Sequence, residues 1–367
     1  VRNLLDHRSG FSTLEGQSNY LYASNTTFDE VLNRLAQYHL SYQPGMKYEY
    51  SNLNYILLAQ VIARASGQPY PEYVQKNILD PLQMSNATFA DHHTLPQAAT
   101  GNQVFFGIQA PFYEPYTPAL LGAGNLSASS EDMAHYLIPF FNRGEYRGNS
   151  LLAAQSRGWY DTSWNWHSGS PGYGSYSHTG GPDSFHANIQ FVTANQETVL
   201  VTMLMNTRLD TLLPGPAVYE IADNVAKITL GLPYELLSTR ELYTGWALFD
   251  GFLLLMIASI TWQVFKLKSW KNHYQASETF KKIISWVVIV FDLLICAGII
   301  VLPSLANSKW EILLYHRPDF AAPLFIIALC LGAIGIIKVV LRIRGLLLSR
   351  SKERSSQVQE LTGASNG

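Results

Sequence analysis

Tyr48-Glu49-Tyr50-Ser51-Asn52-Leu53-Asn54-Tyr55-Ile56-Leu57-Leu58 is the stretch on which the reading of this chain turns. Downstream of Asn52, Ile56, Leu57, Val61, Ile62 and Ala65 recur at helical spacing, and Ser66-Gly67 supply a stop, so a helix is predicted to follow Asn52. Tyr50 and Asn52 therefore stand at the entry to a helix, where an asparagine is an ordinary cap and a tyrosine an ordinary loop residue. Read alone, the pair says little. What surrounds it decides whether it carries chemistry.

Upstream, Thr27 can cap an amphipathic run to His39, with Val31, Leu32 and Leu35 on one face. Downstream, a helix is expected from Pro71 to Leu79, and another over Met133 to Phe141 behind the capping sequence Ser129-Ser130-Glu131-Asp132. The period then changes. His186 to Val192 and Thr198 to Met205 read as two strands separated by Thr193-Ala194-Asn195-Gln196. Helices followed by antiparallel strands give an α+β fold, with a helical layer against a C-terminal sheet.

The 367 residues exceed what one core usually supports, and the composition changes near residue 240. Three apolar runs, Gly245 to Phe265, Ile283 to Leu302 and Phe320 to Leu341, are each long enough to cross a hydrocarbon layer of about 30 Å as a helix. The expected organisation is an outer domain over 1–240, a three-span region over 241–345 and a basic, unstructured tail over 346–367. Lys266, Lys268, Lys271, Lys281 and Lys282 lie between the first two spans, and Arg342, Arg344, Arg350, Lys352 and Arg354 follow the third. The loop from Pro303 to Asp319 carries only Lys309 and Arg317, so residues 1–240 are expected outside the cytoplasm and the C-terminus inside. Trp246, Trp262 and Trp286 lie near span ends, as interfacial aromatics do.

Asp250 and Asp292 interrupt the first two spans. With no second charge expected at a matching depth, Asp250 is read as reaching the outer interface, Asp292 as protonated or hydrogen-bonded to a neighbouring helix or as a contact to another membrane protein, and Lys338 as reaching the inner surface. The net charge of −2 argues against a polyanionic partner, so no nucleic acid is expected. Both cysteines, Cys296 and Cys330, fall inside the apolar runs, and the outer domain has no disulfide.

The ordered landmarks resemble those of the serine β-lactamase and penicillin-binding-protein-like hydrolases, in the class C β-lactamase-related branch. Leu4-Leu5-Asp6-His7-Arg8-Ser9-Gly10-Phe11 is similar to that family's Leu-Leu-Thr-His-Thr-Ser-Gly-Leu. Tyr48 to Leu58 matches Phe/Tyr-x-Tyr-Ser-Asn-x-x-Tyr-x-x-Leu, and Pro81-Leu82-Gln83-Met84-Ser85-Asn86-Ala87-Thr88 is similar to Pro-Leu-Gly-Met-x-x-Thr. Gly122 to Asp132 resembles Gly-Gly-Leu-x-Ser-Thr-x-x-Asp-Met, and His178-Thr179-Gly180-Gly181 stands where the Lys/His-Thr-Gly strand lies. Five motifs in order make the resemblance specific over roughly residues 1–230. It implies a β-lactamase/transpeptidase-like fold, an antiparallel sheet with a helical domain, here incomplete and followed by the three spans.

The resemblance also implies roles. A serine attacks a carbonyl to form an acyl-enzyme, and Tyr50 shuttles its proton, with a phenol pKa lowered by a neighbouring lysine. Asn52 orients the substrate amide and that lysine. His178, Thr179 and Gly180 lie on an edge strand beside the substrate, and the Gly181 N–H is one oxyanion donor. His7 is read as structural. No cofactor is expected, and no metal, because His92, His93, His167 and His186 lack ligand spacing.

One departure is large. The nucleophile motif Ser-x-x-Lys normally lies several tens of residues before the segment that Leu4 to Phe11 resembles, and here that segment opens the chain. The single Ser-x-x-Lys is Ser349-Arg350-Ser351-Lys352 in the tail. The chain opens at Val1 without methionine or a signal sequence, so a fragment lacking its export signal and the first part of its domain is expected. The expected function is a membrane-anchored serine hydrolase acting on a cell-wall peptide, a D-amino-acid peptide or an ester, with no nucleophile in this stretch. His178 in place of lysine leans towards peptidase or esterase members. The alternative is a non-catalytic pseudo-hydrolase that binds peptidoglycan-derived fragments and signals through its membrane helices. Asn25, Asn86 and Asn125 open glycosylation sequons.

Overall fold

The computed structural model describes residues 1–24, 26–151, 165–168, 173–181, 183–207, 217–236, 238–275, 279–305 and 308–363. Asn25 and the side chains of His167 and Ser349 to Lys352 lie outside the described residues. The chain divides into two compact units, Val1–Trp246 and Ala247–Gly367. The boundary falls six residues past the composition change at residue 240.

In the first unit, α1 (Arg2–Leu5), α2 (Thr13–Gly16), α3 (Phe28–Leu35), α4 (Asn52–Ser66) and α5 (Tyr70–Val74) form the helical layer together with α6 (Ser130–Phe141). Two short hairpins, β1 (Asn102–Phe105) with β2 (Ile108–Pro111) and β3 (Glu145–Tyr146) with β4 (Asn149–Ser150), flank it. The main sheet is antiparallel, in the order β5 (Asn165–Ser168), β6 (Tyr173–Gly180), β7 (His186–Ala194) and β8 (Glu197–Met205). Behind it lies α7 (Ala217–Thr229). This is the expected α+β arrangement.

Capping chemistry explains the helix starts. Thr27 accepts from the Glu30 N–H while the Glu30 carboxylate accepts from the Thr27 N–H, a closed capping box that opens α3. Ser129 and Asp132 do the same for α6. The expected run to His39 stops at Leu35, because only one helical face there has apolar support. The expected helix from Pro71 to Leu79 is α only to Val74; a turn of π-helix then carries Gln75–Leu79.

The sheet alternates as strands must. Val192 and Val201 face α7 and close a core with Ala222 and Ala226. The opposite face meets α6, where the Thr202 hydroxyl donates to the Ser130 carbonyl at 2.9 Å. His178 pairs with Ile189, which pairs with Thr202, so His178 lies on that same inner face. Asn195 and Gln196, with φ of 51° and 68°, form the two-residue turn between β7 and β8.

In the second unit, α8 (Thr239–Gln275) continues from the first, followed by α9 (Thr279–Leu305), α10 (Trp310–His316) and α11 (Pro318–Gly363). Three segments, Tyr243–Leu267, Ile283–Leu305 and Pro318–Gly345, are long and apolar enough to cross a membrane. Two expectations are corrected here. The tail expected to be unstructured continues α11 to Gly363, since its Leu, Arg, Lys, Glu and Gln residues favour a helix and no proline interrupts them. Asp292 is hydrogen-bonded to neighbouring helices, one of the roles expected of it, whereas Lys338 does not reach for the surface and supplies the second charge that was not expected at that depth. Both are buried, with Lys338 Nζ 2.9 Å from Asp292 Oδ2, so each charge is met inside the chain.

Candidate active site

Residues His7 to Gly10 are stapled to the first turn of α4 by a chain of buried bonds. The Ser9 hydroxyl donates to Asn54 Oδ1 at 2.5 Å, Asn54 Nδ2 donates to His7 Nδ1 at 3.0 Å, and the Ser51 N–H donates to the same nitrogen at 3.2 Å. Two donors on Nδ1 fix the tautomer with its proton on Nε2. The backbone joins in, as the Glu49 N–H donates to the His7 carbonyl at 2.8 Å. Gly10 is required where it stands, since its φ is +95° and a Cβ there would lie 2.2 Å from the Tyr42 carbonyl oxygen. The expected structural role of His7 matches these contacts.

His7 also forms the floor of the Tyr50 position, with ring centroids 4.4 Å apart. Burial, and then the charge of His178, push the His7 imidazole down to about 4, with Asp6 acting weakly the other way. The ring is therefore neutral at physiological pH. His178 is itself lowered by burial, against a bond from Thr179 that raises it. The effect on His7 brings His178, from β6, within electrostatic reach of the ring that packs against Tyr50.

Tyr50 departs from expectation in one respect. Its phenol is raised, by burial of its ring and then by Tyr48 and Tyr55, where a lysine was expected to lower it. The side chain still keeps 43 % of its surface exposed, so it remains open to a ligand. Its carbonyl accepts from the Thr13 hydroxyl at 2.7 Å, which ties the backbone to α2.

Asn52 begins α4, but its side chain does not cap the helix: Nδ2 donates to the Tyr22 hydroxyl at 3.0 Å. Tyr22 is pushed up to about 12, chiefly by burial, with Asp183, Tyr50 and Glu114 adding to the rise against the Asn52 bond. Glu114 accepts from the Ser184 N–H at 3.2 Å and from its hydroxyl at 2.8 Å. Burial and the Asp183 charge raise the Glu114 carboxyl. Tyr22, Glu114 and Asp183 thus share the neighbourhood of Tyr50 and Asn52, and none was singled out from the sequence. Asp183 had a usable signal, two residues past Gly181; Tyr22 and Glu114 had none.

The third motif is not on the outermost strand. Asn165–Ser168 covers β6, which corrects the expected edge position, but that pairing runs only from Gly174 to Ser177. On that side Thr179 and Gly180 extend past β5 without a strand partner among the described residues. Gly181 follows the end of β6, and a Cβ on it would meet His186 Nε2 at 3.2 Å. Among the described residues one cluster has metal-ligand proximity, Asp91, His92 and His93, whose ligand atoms lie within 4.8 Å of one another. The sequence reading gave these histidines no weight; His93 Nε2 already bonds the Glu114 carbonyl at 2.8 Å.

The chain matches the Beta-lactamase family over residues 1–214. It is 31% identical over 135 residues to the "Putative penicillin-binding protein PbpX" of Bacillus subtilis (strain 168), covering 36% of this chain and 33% of that protein. It is 32% identical over 89 residues to "Protein flp" of Staphylococcus aureus (strain MW2), covering 24% and 18%. The chain thus spans a third or less of the length of these curated relatives. In fold it is similar to the octameric penicillin-binding protein homologue from Pyrococcus abyssi, with a TM-score of 0.50, 21% identity, and coverage of 63% of this chain and 56% of that one. With the family match running through the helical layer, the Tyr50 motif and the sheet that carries His178, this chain belongs to the Beta-lactamase family.

Proposed function

We propose that this chain carries the second and third motifs of a membrane-anchored, extracytoplasmic serine hydrolase that works through an acyl-enzyme on a cell-wall peptide, a D-amino-acid peptide or an ester. The observation that supports the reading is that His7 packs against Tyr50 with ring centroids 4.4 Å apart and also feels the charge of His178 from β6, while Asn52, two residues past Tyr50, is held by Tyr22. In the proposed mechanism a serine hydroxyl adds to the substrate carbonyl. Tyr50 takes the hydroxyl proton and returns it to the leaving group, after which water attacks the acyl-enzyme. Asn52, held by Tyr22, would position the substrate amide, and His178, Thr179 and Gly180 its far side. The Gly181 N–H would be one oxyanion donor.

The experiment is covalent labelling of the natural gene product in its own membranes, using a fluorophosphonate and a fluorescent β-lactam. Labelling that falls about 10²-fold or more in Tyr50→Phe is expected if the phenol moves the proton. Labelling unchanged in that variant would remove Tyr50 from the mechanism.

A second reading is favoured by a specific observation: burial, and then Tyr48 and Tyr55, raise the Tyr50 phenol, the opposite of what a proton shuttle needs. On that reading the domain is a pseudo-hydrolase that binds cell-wall fragments without turning them over. Binding of muropeptides by a gene product that neither probe labels would select it.

A further inference from the structure

The second unit holds a feature that a passive anchor does not need. Asp292 on α9, Lys338 on α11 and Gln263 on α8 are each 95 % or more buried. Lys338 Nζ lies 2.9 Å from Asp292 Oδ2 and also donates to Gln263 Oε1, while Gln263 Nε2 donates to Asp292 Oδ1 at 3.2 Å and to Ser259 Oγ at 3.3 Å. Every side of the triangle is a hydrogen bond, and each corner comes from a different helix.

Position makes this informative. Asp292 lies nine residues inside the span Ile283–Leu305, and Lys338 and Gln263 lie seven and four residues from the ends of Pro318–Gly345 and Tyr243–Leu267. At 1.5 Å per residue these are depths of about 14, 10 and 6 Å, in the same half of an antiparallel trio. A lysine at such depth ordinarily extends to the nearest interface, and an isolated carboxylate there is expensive. Here the two charges meet instead, and a carboxamide closes the ring.

The packing around the triad is built for it. Gly335 lets α11 approach α9 so closely that a Cβ there would lie 2.8 Å from Leu293 Cδ2, and Gly332 faces Cys296 in the same way at 3.1 Å. One helical turn beyond Lys338, the buried Arg342 guanidinium lies 4.7 Å from the Trp286 ring of α9. The most extensive backbone contact in this unit is between α9 and α11. Gln263 is the group that ties α8 to both of them.

We propose that Asp292, Lys338 and Gln263 form a closed polar lock that sets the register of the three spans, so that the membrane region is one specifically folded bundle. The proposal rests on the membrane reading but not on the hydrolase reading. A lock between charges works equally well with the charges exchanged, whereas a docking point or an ion site depends on which residue is where.

The test uses the full chain in detergent, in a Cys330→Ser background carrying Gly332→Cys. The introduced thiol is placed for a disulfide with Cys296, so oxidation reports the α9–α11 register as loss of maleimide labelling. Cross-linking should be near complete in this reference and fall roughly fivefold or more with Asp292→Leu or Lys338→Met, and the exchange of Asp292→Lys with Lys338→Asp should restore it. Because the leucine variant can fail to insert, the thermal midpoint of the isosteric Asp292→Asn is read as well; a fall of about 5 °C or more is expected. Cross-linking and midpoint unchanged in the single variants would overturn the lock, as would an exchange pair that inserts but does not recover. Release of the parent chain by alkaline carbonate would instead defeat the membrane reading.

Discussion

His7 illustrates how one residue can join a family motif to a physical role. It adopts a φ of +51°, lies under Tyr50 and accepts two hydrogen bonds at Nδ1, the last of which requires an uncharged ring. Its pKa is 6.5 in the unfolded chain and about 4 when folded, so between these values the unfolded state holds more protons. The stability it contributes is full above pH 6.5 and is lost as pH falls through that value towards 4. Urea midpoints of the full chain in detergent between pH 4 and 8 should rise with pH across this window. His7→Asn, which tolerates positive φ and cannot titrate, should flatten that limb while lowering the plateau; an unchanged slope would show that other groups dominate. The residue scale also marks where sequence reading ran out. Tyr50, Asn52 and His178 were found because they sit in ordered motifs, whereas Tyr22 closes a short 3-10 turn and Glu114 lies in a loop, neither with a sequence pattern, and both join the site only through folding.

At the scale of elements, legibility followed the source of the signal. Helices α3, α4 and α6 announced themselves through caps and apolar spacing, which are local. Strands β7 and β8 are short runs rich in apolar and β-branched residues on either side of a polar turn and were legible too. Strand β6 was expected only through the resemblance, because its buried positions are Gly174, Ser175 and Ser177, small residues that carry no hydrophobic period. The turn between β7 and β8 offers a test of local strain. Gln196 has a φ of 68°, which glycine adopts freely and glutamine does not, so Gln196→Gly should stabilise the domain by about 0.5 to 1 kcal/mol in denaturant melts. Loss of stability in that variant would mean that the Gln196 side chain contributes more than its backbone strain removes.

On the scale of the whole molecule, the two compact units call for different solvents. The first has a sheet sandwiched between helical layers and polar surface, while the second exposes a continuous apolar exterior around a few buried charges. The chain should stay in the membrane fraction after alkaline carbonate, and protease added to the outer side of intact cells should remove residues up to about 240 and spare the spans. Protection of the first unit in that assay would reverse the proposed orientation. Composition made this division visible from the sequence. The pairing inside the membrane unit was invisible, because Asp292 and Lys338 lie on helices whose facing sides only the packing decides.

That pairing has a consequence in time. Asp292 precedes Lys338 by 46 residues, so at about 5 to 20 residues per second the ribosome delivers the carboxylate roughly 2 to 9 s before its lysine exists. During that interval the second span depends on the insertion machinery for shelter, and the nascent chain is committed to finishing. A message broken between the codons for Leu305 and Pro318 would leave a product whose Asp292 has Gln263 but no lysine to meet its charge, the form that membrane quality control should clear fastest.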